Sequence, residues 1–193
     1  MKKSVDIICK DVVHFLNENL PKHFTYHNTE HTLYVYEKAM HIANKEKVKS
    51  KDRALLKIAA LYHDIGFTKS HLEHEKTGCE IAKKQLKNYG YSKEEIDTIC
   101  GMIMATKIPQ SPKNLLEQIL ADADLEYLAT SKYLKNSIAL YKELLHFNPD
   151  LSEDEWINIQ IKFIKNHTYH TSYCKRYKTF RKNKNLALLE SKI

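Results

Sequence analysis

Few residues in this chain can interrupt a helix, since its 193 residues include only four glycines and four prolines. Apolar residues recur at spacings of three and four, as they do along one face of an α-helix, and no segment shows sustained strand-type alternation. The sequence therefore predicts an all-α fold, a bundle of about eight or nine helices. The predicted helices cover residues 5–20, 29–45, 52–65, 72–89, 92–105, 113–129, 131–147, 152–167 and 170–190.

Several predicted helices also carry recognisable end signals. Asn28 or Thr29 is suited to cap the second helix, and Gly66 is predicted to end the third in a left-handed conformation. Two further helices begin with a capping box, in which a serine precedes a glutamate by three positions. These pairs are Ser92 with Glu95 and Ser152 with Glu155.

Composition indicates one compact domain over residues 1–193, because 42% of the residues are hydrophobic and 28% are charged. No stretch reaches the roughly 20 apolar residues that span a bilayer. Asp6 and Asp11 interrupt the region where a signal peptide needs an apolar core. We therefore expect a soluble cytoplasmic protein without membrane contacts. The cysteines lack paired CxxC spacing and are predicted to be reduced thiols: Cys9, Cys79, Cys100 and Cys174.

The net charge of +7 lies in the C-terminal part of the chain, where a basic helical extension is predicted over about residues 150–193. From Lys165 onward there are eight basic residues and one acid, Glu190, so this segment alone accounts for the net charge. The favoured interpretation is a solvated helix face. Contact with nucleic acid, a phosphorylated substrate or an acidic surface is the alternative. The basic residues are Lys165, Lys175, Arg176, Lys178, Arg181, Lys182, Lys184 and Lys192.

Imidazoles and carboxylates recur where predicted apolar helices begin or end. His63 and Asp64 close the apolar run ALLKIAALYHD at 54–64, while YHNTEH occupies 26–31 and ADAD occupies 121–124. Neutral imidazoles and carboxylates together form a mixed nitrogen and oxygen donor set that suits divalent transition metals. The sequence therefore predicts a metal site at these helix ends.

The acid that completes this site has two candidates. Asp122 and Asp124 are about 200° apart around a helix, so both cannot face one ion from the same helix. One is then a ligand and the other a supporting or exposed group. The residues alone leave the choice open.

With these motifs in place, the chain resembles the HD superfamily of metal-dependent phosphohydrolases over roughly residues 24–130. The signature of that family is a histidine, a His-Asp pair and a distant aspartate. The resemblance implies a helical HD-domain bundle and selects Asp122, because Ala121-Asp122 keeps the family's AD-x-x-L register. The metal ligands that it implies are His31, His63, Asp64 and Asp122.

Further catalytic roles follow from the same resemblance. YHN followed by a histidine is similar to the opening of cyclic-nucleotide phosphodiesterases, which implies that His27 donates a proton to the leaving oxygen. Asp64 or Asp124 would accept the proton of the attacking water. Lys107 stands where some relatives have a histidine, so we expect one metal ion per chain, with Lys107 holding a substrate phosphate. The expected ion is Mn, Mg, Co, Ni, Fe or Zn.

The function that we predict is metal-dependent hydrolysis of a phosphomonoester or phosphodiester in a nucleotide or a similar small phosphorylated compound. Two alternatives remain open: a non-catalytic regulatory domain that binds a metal or nucleotide, and an HD-type di-iron oxygenase. The sequence does not decide whether the chain forms a homodimer. For several other polar residues we expect a structural role at least as much as a catalytic one. These residues are His71, His74, Glu75, His167 and His170.

Overall fold

The computed structural model describes residues 2–191, and within that range it contains helices and no strand. The all-α prediction is confirmed. The α-helices are α1 (Val5–Asn19), α2 (Thr29–Lys45), α3 (Ser50–Tyr62), α4 (His74–Asn88), α5 (Lys93–Met104), α6 (Leu115–Asp124), α7 (Tyr133–Phe147), α8 (Glu153–Asn166), α9 (Ser172–Tyr177) and α10 (Thr179–Glu190). Two short 3₁₀ turns, Ile65–Thr68 and Glu126–Ala129, follow α3 and α6.

Three predicted helices are shorter or more divided than expected. At Asp64, Leu125 and Lys178 the backbone φ values are −106°, −97° and −108°, well away from the value of about −63° for an α-helix. The third and sixth predicted helices therefore end early and continue as 3₁₀ turns. The last one divides into α9 and α10, which raises the helix count above the prediction.

Gly66 has a different role from the one predicted. It lies inside the first 3₁₀ turn, whereas the glycine with positive φ is Gly90, at 82°. A Cβ atom on Gly66 would lie 1.9 Å from the backbone oxygen of His74 and 2.9 Å from the nitrogen of Gly78. The missing side chain therefore allows α4 to pack directly on this turn.

The predicted capping signals are confirmed at three helix starts. Both capping boxes are present, at Ser92 and at Ser152, and the Asn28 side chain accepts a hydrogen bond from the His31 backbone nitrogen. Asn28 therefore caps α2 and fixes the direction in which its first turn leaves the loop.

The core consists of two apolar clusters that meet at Tyr34. The larger cluster lies among α1 to α6, with α2 packed against both α3 and α6. The smaller joins the second 3₁₀ turn to α8 and α10. All four cysteines are free, and Cys9 is only partly buried. Among residues 2–191, the helices are too short or too polar to cross a bilayer.

Candidate metal centre and adjoining cavity

Four side chains meet where three helices end. His31 lies in the first turn of α2, His63 and Asp64 follow the end of α3, and Asp124 is the last residue of α6. Because α2 packs on both α3 and α6, these three ends lie side by side. His63 is fully buried, and His31 and Asp64 are nearly so.

The donor atoms of these side chains face one another at short range. The Nε2 atoms of His31 and His63 are 3.3 Å apart. Asp124 Oδ1 lies 3.2 Å from His31 Nε2 and 3.6 Å from His63 Nε2. Asp64 Oδ2 lies 3.3 Å and 3.1 Å from the same two nitrogens. The two histidines and Asp124 form a group whose donor atoms all lie within 4.8 Å of one another. Asp64 is outside that group of three and adjoins it through the two imidazoles.

These separations fit a metal ion. With metal–ligand distances of about 2.1 Å, neighbouring donors around a tetrahedral or octahedral ion lie roughly 3.0–3.4 Å apart. An independent sign comes from Asp64, whose Oδ2 is buried and has no hydrogen-bond partner among the described residues. A buried carboxylate oxygen in that state needs a cation nearby.

The tautomer of His63 also indicates a proton or a metal ion at this site. Its Nδ1 lies 2.8 Å from the Ala60 carbonyl oxygen, which can only accept a hydrogen bond, so Nδ1 carries a proton. In the neutral ring Nε2 then presents a lone pair to Asp64 and to His31. Acceptors that face one another in this way require a proton or a metal ion between them.

The electrostatics of the group follow from burial opposed by close charges. Burial would lower the pKa of His63, but Asp64 and Asp124 raise that pKa well above its ordinary value. Burial would raise the pKa of Asp64, but His63 and His31 lower it well below the ordinary range. Burial would also raise the pKa of Asp124, but the two histidines lower it to about 2. Both carboxylates are therefore charged near neutral pH and can bind a cation.

Asp122 does not join this group, which corrects its selection over Asp124. It is fully buried, its Oδ1 accepts from the His170 backbone nitrogen at 2.8 Å, and its Oδ2 accepts from Thr171. Burial raises the pKa of Asp122 in spite of these hydrogen bonds. Asp122 anchors the chain after α8, and Asp124 takes the place in the cluster.

His27 lies beside the cluster in the loop before α2, as expected, and Glu143 holds it. Its Nδ1 is 2.5 Å from Glu143 Oε1, and Glu143 Oε2 accepts from the backbone nitrogens of Tyr26 and His27. Burial would raise the pKa of Glu143, but its hydrogen bonds to His27 lower it below the ordinary value. The charged carboxylate fixes the orientation of the His27 ring.

A stack of three rings lies next to Asp64. Phe67 packs between His27 and His74, with ring centroids 4.5 Å and 3.9 Å away. His74 Nε2 lies 3.6 Å from Asp64 Oδ1 and 3.5 Å from Glu75 Oε1. Burial lowers the pKa of His74, although both carboxylates oppose the change. His74 thus lies near the carboxylate oxygen of Asp64 that does not face the cluster, and Glu75 lies next to His74.

The group opens into a cavity of about 610 Å³, which Asp64, Asp124, His27 and His74 border on one side. Lys107 lies at its rim, with Nζ 3.4 Å from Glu73 Oε1. His71 also borders the cavity, but its ring stacks on Phe147 and lies outside the cluster.

His167 and His170 do not reach the metal group. Both border a neighbouring cavity of about 540 Å³, which shares lining residues with the larger one. The imidazole of His167 is buried and has no hydrogen-bond partner among residues 2–191, and burial together with Lys182 lowers its pKa to about 3. His170 Nε2 lies 3.3 Å from Gln110 Oε1.

The basic C-terminal segment is partly engaged within the fold. Lys182 is buried and donates to the carbonyl oxygens of Ile164 and His167, Lys178 pairs with Glu126, and Lys165 lies 2.6 Å from Glu190. Lys192 lies outside the described residues. These contacts give several of the basic residues a structural role within the fold. Nucleic-acid binding by the basic segment stays an untested alternative.

Comparison with known proteins agrees with the geometry. The family described as HD domain matches residues 28–126, just over half of the chain, so this protein belongs to the HD-domain family. A crystal structure of a predicted HD superfamily hydrolase from an uncultured Thermotogales bacterium is similar, with a TM-score of 0.63 and 20% identity. That likeness covers 94% of this chain and 89% of the other, and at this identity it concerns the fold. No curated protein matches the sequence significantly.

Glu143 is the functional candidate that sequence reasoning missed. A signal was present, because Leu140, Leu144 and Phe147 form an apolar stripe on α7 and Glu143 falls on the same face. An acid on an apolar helix face must be buried with a partner. Its partner lies 116 residues away, so the pairing itself was not visible in the pattern.

Proposed function

We propose that this protein is a metal-dependent phosphohydrolase that cleaves a phosphomonoester or phosphodiester in a small phosphorylated compound. The resemblance of its motifs to phosphohydrolases suggests a nucleotide as that compound. The observation that carries the proposal is the group of four donors with an unpartnered, buried Asp64 Oδ2 at the edge of a cavity. A cytoplasmic location stays a prediction from the sequence.

The residues that would hold the ion are His31, His63, Asp64 and Asp124. A divalent cation supplies Lewis acidity, which withdraws electrons from a phosphoryl oxygen and makes water a stronger acid. Asp64 or Asp124 would accept a proton from water, because each carboxylate turns one oxygen to the two imidazoles and has a second oxygen. The second oxygen of Asp64, Oδ1, lies near His74.

His27 is proposed as the proton donor to the leaving oxygen. It borders the cavity next to Asp64, and the buried Glu143 carboxylate contacts its Nδ1 and fixes its ring. Lys107, at the rim, would offset part of the charge of a phosphate, although Glu73 competes for it. Water attacks phosphorus, the bond from phosphorus to the leaving oxygen breaks, and that oxygen takes the proton of His27.

A screen of phosphoesters and nucleotides with Mn, Mg, Co and Ni tests this proposal. We expect one bound ion per chain and release of phosphate or of a phosphorylated product, with both lost in His63→Ala and Asp64→Ala. Turnover that survives these substitutions would refute the assigned site. Two bound irons with oxygen uptake would indicate an oxygenase instead, and tight nucleotide binding without turnover would indicate a regulatory domain.

A further inference from the structure

The cavity beside the metal group is larger and more apolar than a phosphoryl group requires. Its volume of about 610 Å³ lies within the range of roughly 300–1,000 Å³ that is usual for pockets holding whole small molecules. Apolar side chains from α7 and α8 line this cavity together with Asp64 and Asp124. This apolar wall comprises Leu140, Leu144, Phe147, Trp156, Ile159 and Phe163.

Large apolar side chains are left open to solvent in this cavity. Ile159 is 49% exposed and Phe147 is 38% exposed, and both belong to the apolar wall. Leu72 and Ile108, also exposed, complete the mouth of the cavity. Exposed apolar groups that converge on one concave surface mark a place where a ligand removes them from water.

The one polar group of the apolar wall is already occupied, because the Trp156 indole nitrogen donates to Ser137 Oγ at 3.3 Å. Gln160 borders the same cavity, and its Oε1 accepts from the Tyr133 hydroxyl at 2.5 Å. The wall therefore offers a ligand mainly apolar contact. It offers little with which to select a sugar or a base.

The charges around the cavity disfavour a substrate with several phosphates. Lys107 is the one lysine or arginine among the described residues that line it, against the carboxylates of Asp64, Glu73, Glu75, Asp124 and Glu143. A divalent ion would offset two of these charges. Recognition of a polyphosphate needs several cationic donors, which this cavity lacks.

We propose that the substrate carries one phosphoryl group on a bulky, mainly apolar alcohol, which the apolar wall binds while the phosphoryl group meets the metal donors. This inference rests on the proposed function and replaces the nucleotide that the resemblance suggests with monoesters of aliphatic or aromatic alcohols. The wall lies outside residues 28–126, the part of the chain that the family shares. The selectivity is thus a property of this chain's C-terminal helices.

The test is a series of methyl, butyl and octyl phosphate, kept below their aggregation concentrations, with ATP as the polyphosphate and Mn²⁺ as the metal. Hydrolysis of each ester yields the alcohol and inorganic phosphate, which is measured. We expect kcat/KM to rise about fourfold for each added methylene until the cavity is filled. Equal kcat/KM along the series, or a preference for ATP, would overturn the inference and leave the hydrolase proposal intact.

A matched pair of variants localises the effect. Ile159→Asp places a charge on the apolar wall, whereas Ile138→Asp makes the same change on α7 at a residue that is 54% exposed and outside the cavity. We expect Ile159→Asp to reduce the octyl-to-methyl ratio of kcat/KM by at least about tenfold. Ile138→Asp should leave this ratio unchanged. Equal octyl-to-methyl ratios in the two variants would show that the apolar wall does not bind the substrate.

Calorimetry with alkylphosphonates, whose carbon–phosphorus bond resists hydrolysis, separates this inference from the proposed reaction. Octylphosphonate should bind more tightly than methylphosphonate, and Ile159→Asp should abolish the difference. If this pattern appears while no phosphoester is cleaved, the pocket assignment stands and the hydrolase proposal fails. Equal affinities for the two phosphonates would refute the pocket assignment.

Discussion

The part of the chain that the HD family shares and the part that follows it contribute differently to the site. Residues 28–126 hold all four proposed metal donors. Residues 133–191 hold none of them, yet Glu143 fixes His27 and the segment around Thr171 fixes Asp122. The first region therefore supplies the proposed metal donors, and the second supplies residues that hold His27 and Asp122 in place together with part of the cavity lining.

This division would let one motif act on different substrates. The donors at the helix ends depend on the packing of α2, α3 and α6. The apolar wall proposed to bind the substrate lies on α7 and α8, so a change in the wall would leave the metal donors in place. Substrate choice would then depend on the second region as much as on the motif.

The largest effect is expected where the two aspartates of α6 are compared. Asp124→Ala removes a proposed metal ligand, so we expect loss of the ion and a fall in kcat/KM of at least about 100-fold, beyond the effect typical of residues that only orient a ligand. Elemental analysis and phosphate release measure both quantities.

Asp122→Asn is the matched control for that substitution. We expect it to retain one ion per chain while the free energy of unfolding falls by about 2 kcal/mol, because a charged acceptor of three hydrogen bonds is lost. Loss of metal in the Asp122 variant with retention in the Asp124 variant would reverse the assignment made from the structure.

The next effect concerns a support from the second region. Glu143→Gln leaves the shape of the site nearly unchanged but removes the charge beside His27, so kcat should fall about 10–100-fold with little change in KM. A normal kcat in this variant would mean that Glu143 acts only in packing.

Much of the first region was predictable from sequence, and the reason is local. Helical periodicity and capping signals place the ends of α2 and α3, and these ends carry His31, His63 and Asp64. The orientation of the two aspartates, by contrast, could not be predicted from the local sequence. It depends on Thr171, which docks on Asp122 from 49 residues away and leaves Asp124 to face the histidines.

The backbone conformation at two positions was also not predictable from the sequence pattern. Gly66 carries the usual signal for a left-handed helix end, but here it permits the close approach of the His74 backbone. The division of the last predicted helix at Lys178 follows from tertiary packing, since neither Gly nor Pro lies there. Long-range packing decided both features.

A smaller effect tests the buried histidine of the second region. Burial lowers the pKa of His167 to about 3 in the folded protein, below the ordinary 6.5, so protonation favours the unfolded chain. Stability from this residue is complete above pH 6.5 and is lost as the pH falls toward about 3. Between about pH 7.5 and 5.5 we expect a loss of about 1.4 kcal/mol.

Urea unfolding at both pH values measures this loss, with His167→Gln as the comparison. The variant should lack that share of the pH dependence and keep the share contributed by other groups. An identical pH dependence in the two proteins would show that His167 becomes protonated in the folded state without cost.

The prediction of one domain over residues 1–193 requires that the two regions unfold together. The smallest expected effect tests this. Ser92→Ala removes the cap of α5 in the first region, which should cost about 1 kcal/mol. Trp156, the sole tryptophan, reports from α8 in the second region. Because Tyr34 packs in both apolar clusters and Thr171 binds Asp122, we expect Ser92→Ala to shift the fluorescence and circular dichroism transitions equally. A shift confined to circular dichroism would divide the chain into two folding units, with the metal donors in one and the substrate wall in the other.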